Sequence, residues 1–290
     1  MTSPLSSDHK DTYTTVAVAS GKGGTGKTTV SVNLAMVSDR RLSLLDCDVE
    51  EPNVHLFIHP PVVKSERFAV SYPSFEQSLC DGCGECREKC RFNAIAVFGT
   101  SPLLFPELCH SCGACIPACP TGAIHETPGE IGTIYYGTYD HVNLAYGTLD
   151  IGQARSAPLI ERIREFDFGN ELVIVDAPPG TSCPVIASVR HVDYVLLVTE
   201  PTPFGLNDLK LAVEMCRRLG LRFGVVINRA DIGDATTEEY CQSEEIPILA
   251  SLPYDREVAE VYSRGGIPSL ELPKYRTVFR ELLGRLKEEA

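Results

Sequence analysis

The chain has 290 residues, 43 % of them apolar, and a formal net charge of −13. That length and apolar share suffice for one large core plus a small inserted unit, and no stretch approaches the about 20 apolar residues of a membrane span. An acidic balance without a basic run argues against nucleic acid as a partner bound through its phosphates. Residues 1–13 are polar, lack the apolar centre of a targeting peptide and read as a disordered tail. From Thr14 the sequence runs TTVAVASGKGGTGKTTV: a β-branched run for a buried strand, a glycine-rich loop, and a helix opening at about Lys27. Residues 42–48 (LSLLDCD) read as a second buried strand ending in Asp46 and Asp48. Strand–helix alternation breaks near Ile58. Residues 79–95 (LCDGCGECREKCRFNAI) and 108–124 (LCHSCGACIPACPTGAI) then repeat one another, so an internal duplication is visible. A Tyr- and Gly-rich piece, 131–136 with 141–146, reads as a β-hairpin. Alternation resumes at Leu159, with strands expected at 172–175, 194–198, 223–227 and 248–250 and a helix over 205–219. A last helix, 274–287, spaces Val278, Phe279, Leu282, Leu283 and Leu286 as an apolar face. The fold class is therefore α/β: a doubly wound, mostly parallel sheet with helices on both faces. Residues 14–73 and 128–290 form its two parts, and a small α+β unit over 74–127 is inserted between them.

Gly21, Lys22, Gly23, Gly24, Thr25, Gly26, Lys27, Thr28 and Thr29 make the glycine-rich loop. Its glycines let backbone N–H groups turn inward around phosphate oxygens, and the helix N-terminus adds partial positive charge. Lys27 would reach the β- and γ-phosphates of ATP while the Thr28 hydroxyl ligates Mg2+. Residues 172–179 (LVIVDAPP) end another buried strand in Asp176, a second magnesium candidate. Acidic residues at strand ends can be simple helix caps. Two of them at the carboxyl ends of different strands, beside such a loop, point to a nucleotide crevice instead.

Each cysteine run is C-x2-C-x2-C-x3-C. Three cysteines at that spacing wrap one 4Fe-4S cube, and the fourth ligates the other cube. The ligand sets are thus crossed: Cys80, Cys83, Cys86 and Cys119 for one cluster, Cys109, Cys112, Cys115 and Cys90 for the second. Zinc prefers two CxxC pairs with a longer spacer, and nothing else about the chain suits a secreted disulfide framework. This segment resembles a bacterial two-cluster ferredoxin. Pro120 follows Cys119 as in that pattern, but Arg91 follows Cys90.

With its second lysine, Lys22 in GKGGTGKT, the chain resembles the deviant Walker A ATPases, which include MinD, ParA, Mrp and the nitrogenase iron protein. The resemblance implies a slow, partner-stimulated ATPase and a nucleotide-sandwich dimer, either homodimeric or with a paralogous ATPase, in which Lys22 contacts the partner's nucleotide. It implies that Asp48 orients the attacking water, while Asp46 serves the magnesium shell or the local hydrogen-bond network. Asn228 and Arg229 at the end of a late strand, with Pro253, become candidates for the base pocket. MinD proteins reach membranes through a basic C-terminal helix, whereas this chain ends in Lys-Glu-Glu-Ala and its last helix is expected to pack on the core.

Four cysteines lie outside the runs. Cys216 and Cys241 are expected in helix cores, and Cys47 facing into the sheet. Cys183, seven residues past Asp176, sits at an offset comparable with a cluster cysteine of the nitrogenase iron protein and is a speculative metal ligand. The expected function is an ATP-dependent, cytoplasmic electron-transfer protein with a redox or metal-cluster client. An ATPase that assembles or delivers clusters is the alternative, though the Mrp-type C-terminal CxxC is absent. MinD-like positioning comes third.

Overall fold

The computed structural model describes residues 14–61, 63–166 and 168–290, and the tail expected over 1–13 lies outside the described residues. In chain order the elements are β1 (Thr14–Ala19), α1 (Lys27–Met36), β2 (Leu42–Asp46), β3 (Val63–Phe75), α2 (Glu85–Lys89), β4 (Ile95–Phe98) and β5 (Ser101–Leu104). They continue as β6 (Ile124–Tyr139), β7 (Val142–Leu149), α3 (Ser156–Arg164), β8 (Leu172–Asp176), α4 (Cys183–Val189), β9 (Tyr194–Thr199), α5 (Pro203–Leu219) and β10 (Phe223–Asn228). The chain closes with α6 (Thr236–Ser243), β11 (Ile248–Leu252), α7 (Arg256–Ser263), α8 (Pro268–Glu271) and α9 (Pro273–Glu289).

Nine of these strands form one sheet in the order β11-β10-β9-β1-β8-β2-β7-β6-β3. The seven from β11 to β7 are parallel, and β6 and β3 extend the sheet as antiparallel strands. Alternation along buried strands divides the core in two. Val16 and Val18 of β1 join one apolar layer with residues of α1 and α9, whereas Ala17 and Ala19 join another with α3, α4 and α5. This is the doubly wound, mostly parallel α/β sheet read from the sequence.

Two features were not read from the sequence. The Tyr/Gly hairpin, β6 and β7, is not an appendage. β7 lies parallel to β2, so the hairpin is part of the main sheet. Strand β3 had no counterpart in the sequence reading. Its stretch VKSERFAVSYPSF carries Lys64, Glu66, Arg67 and Pro73, and it forms the sheet's edge, where charges and proline discourage further pairing.

β3 and β6 pair from Val63↔Gly137 to Phe75↔Ile124, with a register shift between Phe68 and Ala69 that leaves Ile131 as the extra residue. On the near side of this bulge β6 also pairs with β7, from Gly132↔Leu149 onward. On the far side, residues 69–75 and 124–130 run as a two-stranded ribbon whose end bears the cysteine segment. Arg67 clamps the junction through hydrogen bonds to Glu130, Thr133 and Asp150.

Helix α9 buries Tyr275, Phe279, Leu282, Leu283 and Leu286 against the sheet, as its spacing implied. No helix of the described residues is long and apolar enough to cross a membrane. Phe279→Ala should destabilise the protein by about 3–5 kcal/mol, because Phe279 is 2 % exposed and its removal leaves a cavity. Denaturant unfolding measures this, and a change below about 1 kcal/mol would place α9 outside the core.

Candidate functional site

All seven parallel strands end at the same sheet edge, and loops there line an open cleft of about 460 Å3. Gly23, Gly24, Gly26, Lys27, Thr28 and Thr29 form one wall, with Asp48, Asn228, Arg229 and Pro253 around it. The loop reaches its shape through positive φ at Gly24 (79°) and at Gly26 (97°), the residue before α1. A Cβ on Gly26 would also stand 2.6 Å from the Asn228 amide nitrogen. That amide donates to the Thr25 carbonyl at 2.9 Å, so Asn228 ties β10 to the loop from the cleft wall.

Lys27 is 7 % exposed. Burial lowers its pKa, opposed by the charges of Asp176 and Asp48. Thr28 Oγ1 donates to Asp176 Oδ2 at 2.7 Å, and Ser31 Oγ donates to Asp176 Oδ1 at 2.8 Å. Burial pushes the Asp176 carboxyl up to about 6, opposed by the hydroxyls of Thr28 and Ser31 and by Lys27. A divalent cation beside Thr28 and Asp176 would favour the carboxylate, so these two residues fit Mg2+. Asp48 lines the cleft, its carboxyl raised by burial and lowered by Lys27.

Asp46 sits differently. It is fully buried, and its carboxylate accepts the backbone N–H groups of Asp48 (3.1 Å), Asn53 (3.0 Å) and Val54 (3.0 Å). Burial, and then Asp176, raise it well above the ordinary carboxylate range. Three amides of the following loop donate to its oxygens, so Asp46 organises that loop behind the cleft. Lys22 points away from the cleft toward Glu200 (3.8 Å), which also pairs with Arg229 (2.9 Å). Gly21, Thr25 and Asp176 are not among the cleft's lining residues; Asp176 instead bonds Thr28 and Ser31 at the start of α1.

The sequence reading missed part of one wall. Val258, Ala259 and Tyr262 of α7 face the cleft beside Asp255, together with Glu51 and Asn53. The 255, 258, 259, 262 spacing is one helical face and was a usable signal.

At the far end of the ribbon two small cavities separate the cysteines into sets. Cys80, Cys83, Cys86 and Cys119 line the first, and Cys90, Cys109, Cys112 and Cys115 the second, which is the crossed division expected from the spacing. Ile95, Cys115 and Ile124 form a small core between them. Backbone N–H groups of Ala94 and Ala123 donate to Cys90 Sγ (3.4 Å) and Cys119 Sγ (3.3 Å), the same contact in each copy. All twelve cysteines are unpaired. Among the described residues no three Cys, His, Asp or Glu side chains are placed to hold a single metal ion, but four thiols lining one cavity, with an N–H donor to one sulfur, supply the donor set of a 4Fe-4S cluster in each. Cys47, Cys216 and Cys241 are buried in the core layer of α3–α6, as expected, and Cys183 is exposed at the start of α4.

A glycine loop and buried lysine at the carboxyl edge of a parallel sheet, backed by a strand-end aspartate, define a P-loop nucleotide-binding protein. The CobQ/CobB/MinD/ParA nucleotide binding domain matches residues 16–268, and the chain belongs to that family. It is 31 % identical over 279 residues to an uncharacterized protein of Methanocaldococcus jannaschii, covering 94 % of this chain and 96 % of that one. It is 24 % identical over 300 residues to an iron-sulfur cluster carrier protein of Pyrococcus abyssi, covering 94 % and 86 %. Its fold is similar to the cell division ATPase MinD of Pyrococcus furiosus, with a TM-score of 0.59, 20 % identity, and coverage of 96 % and 99 %.

Proposed function

We propose that the chain is an ATPase whose nucleotide state, in a homodimer or a heterodimer with a paralogous ATPase, controls electron transfer to a partner protein through two bound 4Fe-4S clusters. The observation that carries this reading is the pair of four-cysteine cavities on a ribbon continuous with the nucleotide-binding sheet. Four ligands from one chain suit a resident cluster rather than one bound for export.

Glycine-loop amides and Lys27 bind the ATP phosphates, Thr28 and Asp176 hold Mg2+, and Asp48 orients the water. Asn228, Arg229 and Pro253 border the base. Lys22 exchanges Glu200 for the phosphates of the partner's nucleotide when two subunits close, which strengthens electrostatics by excluding water. Each cluster, when bound, supplies reversible one-electron chemistry. Unpaired cysteines suit the reducing cytoplasm.

A second reading, assembly or delivery of clusters to a client, is favoured by the carrier protein of Pyrococcus abyssi and by the exposure of Cys183 beside the Asp176 segment. One experiment separates the two. The anaerobically purified protein is mixed with a cluster-free ferredoxin acceptor, with and without a non-hydrolysable ATP analogue. Electron transfer predicts about eight iron retained per chain and an EPR spectrum or reduction potential that responds to nucleotide. Delivery predicts that the acceptor gains a cluster as this chain loses iron. If neither occurs, nucleotide and cysteines are uncoupled and the reading fails.

A further inference from the structure

Arg155 immediately precedes α3 and is 6 % exposed. Among the described residues its guanidinium has no carboxylate partner. Nη1 donates to the Ser111 hydroxyl at 3.1 Å, Nη2 donates to Gln153 Oε1 at 2.8 Å, and the guanidinium carbon lies 4.4 Å from the Tyr72 ring centre. Its Nε–H is buried without a hydrogen-bond partner. Burying a cation costs several kcal/mol, and buried charges are retained where an opposite charge compensates them.

Ser111 identifies where that charge belongs. It lies between Cys109 and Cys112, two ligands of the second cavity. A 4Fe-4S core held by four thiolates is net negative in its oxidised state and gains one more negative charge on reduction.

The duplication provides an internal control. Cys80-Asp81-Gly82-Cys83 in the first copy corresponds to Cys109-His110-Ser111-Cys112 in the second. Gly82 and Ser111 both take the left-handed backbone conformation, with φ of 76° and 51°. Glycine adopts it freely, whereas serine is strained there. The first loop carries a carboxylate, Asp81, accepting from the Cys83 N–H at 3.1 Å. The second carries a hydroxyl bonded to a buried guanidinium. The two loops thus differ at this point, although Arg87 also lies near Gly84 of the first cavity and Glu126 near Gly113 of the second.

We propose that Arg155 is the counter-charge of the second cluster: it contacts the Cys109–Cys112 loop through Ser111 and raises that cluster's reduction potential. This rests on the reading that the cavities hold clusters. One electron from a low-potential one-electron donor reduces the second site more readily than it would without the guanidinium, with no bond made or broken, and Arg155 keeps its proton throughout.

The test is an EPR-monitored redox titration of the cluster-loaded full chain, with signals assigned by comparison with Cys86→Ala and Cys115→Ala. Arg155→Gln should lower the second midpoint by about 59 mV, a tenfold change in a one-electron equilibrium, and leave the first unchanged. Arg155→Lys should keep the potential near the original by retaining the charge, and Ser111→Gly should barely move it. Loss of the second cluster from Arg155→Gln but not from Arg155→Lys would support the same role. Unchanged midpoints in loaded Arg155→Gln, or equal shifts in the Gln and Lys variants, would overturn it. A wild-type protein without iron would overturn the cluster reading itself, a different failure.

Discussion

Lys27→Ala is expected to weaken ATP binding by about 2–5 kcal/mol, roughly 30- to 5,000-fold, the range for truncating one member of a buried charge pair. The side chain is 7 % exposed and is the cleft's only lysine among the described residues. Its removal leaves the glycine amides to hold the phosphates alone, while Asp48 and Asp176 then repel them. Asp48→Ala should behave oppositely, retaining ATP and losing turnover, because it removes a negative group without touching a phosphate donor. Titration calorimetry with both variants decides the matter. An unchanged affinity for Lys27→Ala would move the phosphates out of this cleft, and a fully active Asp48→Ala would show that the water is oriented elsewhere.

Cysteine substitution should give the second large effect, and it should follow space rather than sequence. Cys86 and Cys119 line the same cavity, whereas Cys115, only four residues from Cys119, lines the other. Cys86→Ala, Cys119→Ala and their double variant should therefore each retain about four of eight iron atoms and share one EPR spectrum. Combining Cys115→Ala with Cys119→Ala should empty both cavities. If Cys115 and Cys119 variants lost the same cluster, each run would hold its own cluster and the crossed division would be wrong.

The crossed division is an expectation from the x2-x2-x3 spacing, which constrains which thiols can meet, and the two cavities are lined in the same grouping. The Lys27 loop was legible for a similar reason: glycines between a strand and a helix serve phosphates whatever the rest of the chain does. Other parts depend on contacts between distant segments. For Asp46, the sequence does not show that the amides of Asn53 and Val54 fold back onto its carboxylate. β3 mixes charged and apolar residues because it is an edge strand, and so it lacks the apolar run that marks β8 or β9. Arg155 had no local signal at all. Its meaning comes from Ser111, 44 residues away, and from a tyrosine on another strand.

The bulge at Phe68/Ala69 has a mechanical consequence. Beyond it the ribbon is two strands wide for residues 69–75, a cantilever of roughly 23 Å at 3.3 Å per residue. A bend of about 10° at its root would swing the cysteine-bearing tip by roughly 4 Å over that length. The root is wired to the nucleotide edge: Leu149 N–H bonds the Val49 carbonyl beside Asp48, and the adjacent Asp150 grips Arg67. Arg155 braces the tip from the main body like a strut. In a chain built this way, loosening one strut would let the tip swing without unfolding a single strand.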